Sequence, residues 1–303
     1  MTALRIFCRV VEEGSFSAAA RALRVSNASV SKNIAELEAA LGTQLIIRTT
    51  RSLQLTDAGA EFHARVGHVL DGLEQAKSIA TGRSDHVSGV LRVALPMSFG
   101  IEAIVPLLGP FRAAHPDLRL KLTFDDAKAD IIGGRFDVAI RGAGHLPDST
   151  LRARRLLEFD RVLCAAPGYL AARGAPRSAG EIREHDCIAY AMGEETDAWL
   201  AEGPDGAVPI AFEPAVEMNN SLAIRRAVLD GLGIAALPVP YVHEPLHSGA
   251  LVRVLPDYRL RPQSLSAIYP AARHLPPKTR LFIDYLAGAL AGTGALGSIS
   301  NPE

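Results

Sequence analysis

The run SNASVSKNI, residues 26–34, sets hydroxyls, two amides and a cation around the larger apolar residues Val30 and Ile34. Ser26, Asn27, Ala28, Ser29, Ser31 and Lys32 are small, hydrogen-bonding or positive, which suits close approach to a phosphate-lined groove. On a helix, Asn27, Ala28, Ser29 and Lys32 could meet base edges, since an amide side chain makes paired hydrogen bonds to adenine. Ser17 and Ser31 offer hydroxyls to phosphate. A second group follows at Arg48-Thr49-Thr50-Arg51, where Arg48, Thr50 and Arg51 have the same backbone-binding chemistry.

Other patterns point to small ligands or to nothing. PMSFG, residues 96–100, lies between a strand and the next helix. There the Ser98 hydroxyl and the amides of Phe99 and Gly100, beside Met97, can meet an anion or carbonyl. MNNSLAI puts Asn219 and Asn220 at another helix start, where capping is the ordinary use. Arg141, ending DVAIR, can pair with a carboxylate ligand or with an internal acid. HEPLH, His243 to His247, satisfies the H-E-x-x-H zinc spacing, which works only on a helix. Pro245 lies between the histidines and Pro238 and Pro240 precede them, so neither a regular helix nor a metal site is expected there. GLGIAA, residues 231–236, leads out of a helix into a strand, the reverse of a dinucleotide fingerprint. With no G-x-S-x-G, P-loop or other catalytic constellation, an enzyme is not expected, nor a cofactor. Cys8, Cys164 and Cys187 are odd in number and far apart, which favours reduced buried thiols over a disulfide framework. A Cys164–Cys187 redox switch is the alternative.

The polar run at 26–34 needs a scaffold, and the flanking pattern supplies one. Leu4, Phe7, Cys8 and Val11 recur at helical spacing, and Gly14 ends that helix. Ser15 or Ser17 caps a second helix through Leu23. Arg24-Val25-Ser26 turns the chain, and Ser26 caps a third helix. Its Val30, Ile34, Leu37 and Leu41 fall within about 60° of one another at about 100° per residue, a narrow buried stripe. Opposite lie Ala28, Ser29, Lys32, Ala35 and Glu36. Two helices joined by a short turn, the second with such a face, form a helix-turn-helix; a small bundle with a solvated face is the alternative. TQLIIRTTRSLQLT then predicts a hairpin with cations and hydroxyls at its tip, a wing, and this favours DNA binding.

From Asp57 to about Thr81, Phe62, Val66, Val69, Leu73, Ala76 and Ala80 recur at alternating spacings of four and three, a two-stranded coiled-coil seam on a helix about 37 Å long. A lone helix cannot bury that seam, so homodimerisation is expected, pairing two heads for a two-fold-related DNA site. TGRSDHVSG, residues 81–89, has hinge composition. Beyond it, GVLRVALP, LRLKLTF, FDVAIRG, RVLCAAP and GLGIAALP are strands alternating with helices, among them a helix interrupted near Pro106 or Gly109. That grammar predicts an α/β body on a mainly parallel open sheet.

The bulk numbers allow this. The chain has 303 residues, 48% apolar and 21% charged, enough for about two domains. Its net charge of −1 divides unevenly: residues 1–60 carry seven Lys/Arg against five Asp/Glu, or +2, leaving −3 for the rest. No apolar run reaches the ~18 residues of a membrane helix and no signal peptide is present, so a cytoplasmic location without membrane association is expected.

Taken in order, Leu4-x-x-Phe7, GSFSAAA, SNASVS, Ile34-x-x-Leu37-Glu38, Leu41-Gly42, Arg48 and LTDAG resemble the head of the LysR-type transcriptional regulators. FDVAIR, LPDSTL, RVLCAAPGYL, HDCIAY, GLGIAALP, LVRVLPDY and FIDYL resemble their body. The resemblance implies a winged helix-turn-helix head over 1–57, a dimerising linker helix and hinge over 58–86, and an effector-binding domain over 87–303. That domain is a two-lobed, periplasmic-binding-protein-like α/β fold, with lobe I about 87–160 and 264–290 and lobe II about 161–263. It further implies a sequence-specific regulator whose operator contact is modulated by a small-molecule effector, assembled as a dimer or tetramer and acting with RNA polymerase. Met97, Ser98, Phe99, Arg141, Asn219, Asn220 and Pro238 are then the candidate effector residues, with Ser98, Asn220 and Pro238 near the interlobe cleft. A cytoplasmic solute-binding module without transcriptional output is the alternative. Three departures stand out: Asn27 where the family mostly has Gln or Pro, Ile46 for a common Phe, and a start several residues late, which implies either a shortened first helix or a misassigned start.

Overall fold

The computed structural model describes residues 2–48, 53–80, 87–126, 131, 136–142, 150–192, 195–271 and 275–292, with backbone alone at 48, 64, 68, 71 and 74–80. The chain divides into two compact units, Met1–Arg92 with Asp117–Lys121 and Asp130–Asp137, and the remaining residues.

The first unit opens with α1 (Thr2–Glu13), α2 (Phe16–Leu23) and α3 (Asn27–Leu41). Each boundary has a local cause. Gly14 takes φ 63° after α1, a conformation without penalty only for glycine. Ser15 caps α2, accepting the Ala18 amide at 3.4 Å. Arg24 ends α2 in the left-handed region, and the Val25 amide reaches back to the Ala20 carbonyl at 3.0 Å, a Schellman closure. Ser26 caps α3 through the Ser29 amide at 3.1 Å, and Gly42 closes it at φ 66°. The hairpin follows as β1 (Ile46–Arg48) and β2 (Leu53–Leu55), paired antiparallel with Ile46 opposite Leu55. Then comes α4 (Asp57–Ala80), capped by Thr56, whose hydroxyl accepts the Gly59 amide at 2.9 Å. Gly59 is required by packing: a Cβ there would lie 2.0 Å from the Leu45 carbonyl oxygen.

Two expectations are corrected here. Leu41 is 43% exposed, because α3 outruns the head core by its last turn, and the buried stripe is Val30 and Ile34 with Leu37 partly covered. The seam on α4 is also divided. Val66 is buried in the head core, and Phe62 packs there with its ring 5.5 Å from that of Phe7. The helix therefore does bury the first part of its apolar stripe within its own chain, whereas Val69 is 59% exposed.

The body begins with β3 (Gly89–Leu95). A three-residue turn of helix, α5 (Met97–Phe99), passes through a π-helical turn (Gly100–Ile104) and a 3-10 turn (Val105–Leu107) into α6 (Leu108–Ala114). The expected interruption near Pro106 is this change of winding. The chain continues as β4 (Leu118–Phe124), β5 (Val138–Gly142), β6 (Leu151–Phe159), β7 (Arg161–Ala165), α7 (Pro167–Arg173), β8 (Cys187–Tyr190), β9 (Ala198–Gly203), β10 (Gly206–Ala211) and β11 (Pro214–Met218). It ends with α8 (Ser221–Leu229), β12 (Ala235–Pro238), α9 (Val239–His247), β13 (Val252–Arg253), β14 (Arg259–Leu260), β15 (Gln263–Pro270) and α10 (Pro277–Gly292).

One sheet has the order β4-β3-β5-β15-β6; smaller sheets are β12-β7-β13, β11-β8 and β10-β9-β14. Apart from the small antiparallel β10-β9-β14 sheet, most body strands run one way within their sheets, as expected, with β15 reversed in the first sheet and β7 reversed among β11, β8, β12 and β13. Among the described pairs of the body, β3 with β5 and β11 with β8 are parallel, and a parallel Cys187–Ile234 bridge sets β8 beside β12. β15 runs antiparallel to both β5 and β6, and β7 antiparallel to β12 and β13. The reason is connectivity: β15 re-enters the first sheet from the chain's far end, and β9 turns directly into β10 at Gly206, φ 106°. Among the described residues no helix is long and apolar enough to cross a membrane.

Candidate nucleic-acid interface and effector cleft

In the head, Val30 and Ile34 are fully buried, and this fixes which side of α3 faces outward. Asn27, Ala28 and Lys32 are exposed, as are Ser26 and Ser17; Ser29 and Ser31 are half-buried at the edges of that face. Asn27, the first residue of α3, donates its Nδ2–H to the Ser17 hydroxyl of α2 at 3.2 Å. Asn27 is exposed, and its Oδ1 and second N–H are the pair an adenine edge would take. Lys32 Nζ lies 3.8 Å from Glu36 Oε1, an i,i+4 pair with both side chains mostly exposed, so the ammonium is held only weakly. Arg48 ends β1; Thr50 and Arg51, and the side chain of Arg48, lie outside the described residues.

Glu38 was not among the expected site residues, yet it ties the wing to α3. Its Oε1 accepts the amides of Leu45 at 2.8 Å and Ile46 at 3.0 Å. A carboxylate one turn before a helix's glycine stop gives only a faint signal of such a role.

In the body, α5 and α8 face each other. Ser98 is buried, and its Oγ accepts the Leu222 amide at 3.4 Å. Asn220 caps α8, its Oδ1 accepting the Leu222 and Ala223 amides, each at 3.0 Å. The Met97 amide is taken by Asp126 Oδ1 at 3.0 Å. The Gly100 amide, expected to face a ligand, closes on the Pro96 carbonyl at 2.8 Å, because the chain is already helical there. Arg141 donates to the Asp125 carbonyl; burial lowers its pKa while Asp126 and Asp125 act to raise it. Burial also pushes the Tyr190 and Tyr241 phenols up, and Asp126 adds to both. Phe99 stacks on Phe159 at 5.7 Å and meets Tyr241 edge-on at 6.2 Å. Met97 and Arg141 thus meet Asp126, Phe99 meets Tyr241, and Ser98 and Asn220 share the Leu222 amide; Asp126 and Tyr241 are two residues that the sequence reading missed. Pro238 is buried at the end of β12 and precedes α9; Asn219 is exposed and takes no part in the cap.

The remaining patterns resolve differently. HEPLH does lie on a helix, α9, contrary to expectation. Pro245 deprives the Tyr241 carbonyl of its helical donor, and Arg225 Nη1 supplies one at 3.2 Å. Among the described residues no group of three or more His, Cys, Asp or Glu could hold a metal ion. Cys164 pairs with Ala235 and Cys187 with Ile234, so one strand separates them, two spacings or about 9–10 Å. A disulfide needs Cα atoms within about 7 Å, so the redox alternative fails on geometry. Burial raises both thiol pKa values to about 12.

The family model described as the bacterial regulatory helix-turn-helix protein, lysR family, matches residues 1–60, and the LysR substrate binding domain matches 84–291. The chain belongs to the LysR family. It is 32% identical over 278 residues to an uncharacterized HTH-type transcriptional regulator of Haemophilus influenzae, covering 92% of this chain and 96% of the relative. PtxR, an HTH-type transcriptional regulator of Pseudomonas aeruginosa, is 34% identical over 283 residues, covering 93% and 90%. Among solved structures, the LysR-type regulator CrgA from Neisseria meningitidis superposes with TM-score 0.62 at 31% identity, over 96% of this chain and 98% of that one. The Vibrio cholerae virulence activator AphB gives TM-score 0.59 at 28% identity, over 95% and 98%. As a LysR-type transcriptional regulator, the protein has its helix-turn-helix in α2 and α3 and its effector-binding domain in the α/β body. A solute-binding module would have no use for that head.

Proposed function

We propose that the protein reads a two-fold-related operator in double-stranded DNA through α3. Asn27, Ala28, Ser29 and Lys32 meet base edges; Ser17, Ser26, Ser31, Arg48, Thr50 and Arg51 hold the phosphates. The observation that carries this is the opposition of a fully buried Val30–Ile34 side to an exposed Asn27–Ala28–Lys32 side, with Asn27 tethered by Ser17. Two heads are brought together by α4 beyond the head core, through exposed Val69 and half-buried Leu73, and dimers pair into tetramers. A small effector binds beside Ser98, Asn220, Arg141 and Asp126, with Met97, Phe99 and Pro238 shaping the cleft, and alters how the heads engage the operator and RNA polymerase. The protein acts in the cytoplasm and carries out no catalysis. Residues 1–57 form the head, 58–86 the linker and hinge, and 87–303 the effector domain.

Selection from a random duplex library, followed by titrations over a set of mutated operators at two salt concentrations, tests the DNA reading. Asn27→Ala should relax preference at one base pair per half-site by about 1–3 kcal/mol. Ser17→Ala should relax the same position more mildly. Arg51→Ala should weaken all sequences alike and flatten the salt slope. Unchanged base preference in Asn27→Ala would move base reading to Ser29 and Lys32.

A further inference from the structure

The i,i+4 histidines of α9 remain unused by the regulator's reading. His243 and His247 are both exposed, one turn apart on one side of the helix, with ring planes within 2° of parallel and centroids 6.5 Å apart. Two imidazoles on successive turns present ring nitrogens to a common point, the reason this spacing recurs in zinc helices. We propose that His243 and His247 form a two-imidazole chelate for a late first-row divalent ion, Cu²⁺, Ni²⁺ or Zn²⁺, on the outer surface of α9.

With metal–nitrogen bonds of about 2.0–2.1 Å, ring centroids stand about 3.2 Å from the ion, so a right-angle or tetrahedral chelate needs them about 4.5–5.2 Å apart. The observed 6.5 Å is between one and two ångströms wider, and parallel rings cannot both aim a nitrogen at one ion, so both side chains must turn as well as close, a change of rotamer open to two exposed residues. No described third ligand joins them, so water fills the other coordination positions. The site is therefore a binding site and lacks the enclosed geometry of a catalytic zinc centre. The chelate also spans the weak point of its own helix. Pro245 sits between the ligands and offers no amide to Tyr241, whose carbonyl is held instead by Arg225, itself 3.2 Å from Glu102. A metal clasp from His243 to His247 fastens the turn that lacks its hydrogen bond, so binding should stabilise the folded body.

The test uses tag-free, full-length protein titrated calorimetrically with CuCl₂, NiCl₂ and ZnCl₂, with thermal melts alongside. The tightest site should bind one ion per chain, with Cu²⁺ strongest in accord with the Irving–Williams order. His243→Ala and His247→Ala should each weaken it by about tenfold or more, because either change turns a chelate into a single contact. Both variants should melt like the parent without metal and lose the upward shift that Ni²⁺ produces in the parent. The copper-bound parent should show electron-resonance coupling to two ring nitrogens, and each variant to one. Affinities within twofold of the parent, or loss in only one of the two variants, would overturn the chelate. His115→Ala, away from α9, should leave binding unchanged.

Discussion

Placing an aspartate at two neighbouring positions of α4 should separate the head core from the dimer seam. Val66 is 6% exposed and sits among Phe7, Val10 and Ile34 of the head core; Val69, three residues on, is 59% exposed. A carboxylate at 66 would lose its water without gaining a partner, at a cost of several kcal/mol. Set against a domain stability of about 5–15 kcal/mol, that is enough to melt the head. At 69 the same carboxylate stays largely hydrated in one chain, and the cost to folding should remain within about 0.5 kcal/mol. If Val69 is buried only on association, the penalty appears there instead. A loss of about 3–4 kcal/mol would weaken the dimer by roughly a hundred- to a thousandfold. Circular dichroism melts and sedimentation velocity over a micromolar concentration series read the two effects independently. Val66→Asp should lose the head's transition and all operator binding. Val69→Asp should melt normally and sediment as a smaller species. A Val69→Asp protein that sediments like the parent would remove the coiled-coil argument, and a Val66→Asp protein with an intact melt would remove Val66 from the core.

The other consequences are shorter. Lys32→Ala should lower operator affinity and leave the melt within about 0.5 kcal/mol, whereas Ile34→Ala, at a fully buried site, should cost about 2–5 kcal/mol; equal effects of the two in both assays would mean that α3 has no outward reading face. Glu38→Ala should lower head stability by about 1–3 kcal/mol by stripping the acceptor from the Leu45 and Ile46 amides, and Glu38→Gln should recover most of it, since an amide oxygen still accepts; a thermal melt in which Gln fares no better than Ala would refute the acceptor role. Ser98→Ala should blunt the effector's action on transcription while ligand-free operator binding persists, the lost bond being worth about 0.5–1.5 kcal/mol at most, because the Leu222 amide keeps Asn220; equal loss of both activities in reporter and binding assays would assign Ser98 to folding.

What could be read in the sequence divides along contact range. The caps at Ser15 and Ser26 and the glycine stops at 14 and 42 are local chemistry, and the head's helices end where those residues require. The apolar spacing on α4 was equally visible, but a stripe records only that something covers it. Its first part is covered by α1 of the same chain, a choice that periodicity cannot express. β6 was illegible for another reason. LRARRLLEF is mostly exposed because β6 sits at the edge of its sheet against β15 alone, so its arginines break the alternation that marks a half-buried strand. Pro245 misled because the rule against interior proline assumes an unmet carbonyl, and Arg225, twenty positions away, meets it. The partners of Asn27, Met97 and Ser98 are likewise set by folding across 10, 29 and 124 residues.

Those long-range partners bear on how an effector could act. Several of the donors that the sequence offered to an anion are engaged by the chain's own acceptors: the Met97 amide by Asp126, the α8 amides by Asn220 and Ser98, and Arg141 by the Asp125 carbonyl. Under the proposed reading, an effector entering here exchanges bonds, and its net gain is the difference between its contacts and those it displaces. A tight ligand that bound both states alike would shift no equilibrium. Ser98 belongs to the segment before α6 and Leu222 to α8, so replacing that bond loosens or re-forms the contact between those two helical segments. The effector's chemistry is therefore constrained by competition as well as by fit. It must present an acceptor good enough to replace Asp126 or Ser98, or a donor good enough to draw Asp126 from the Met97 amide.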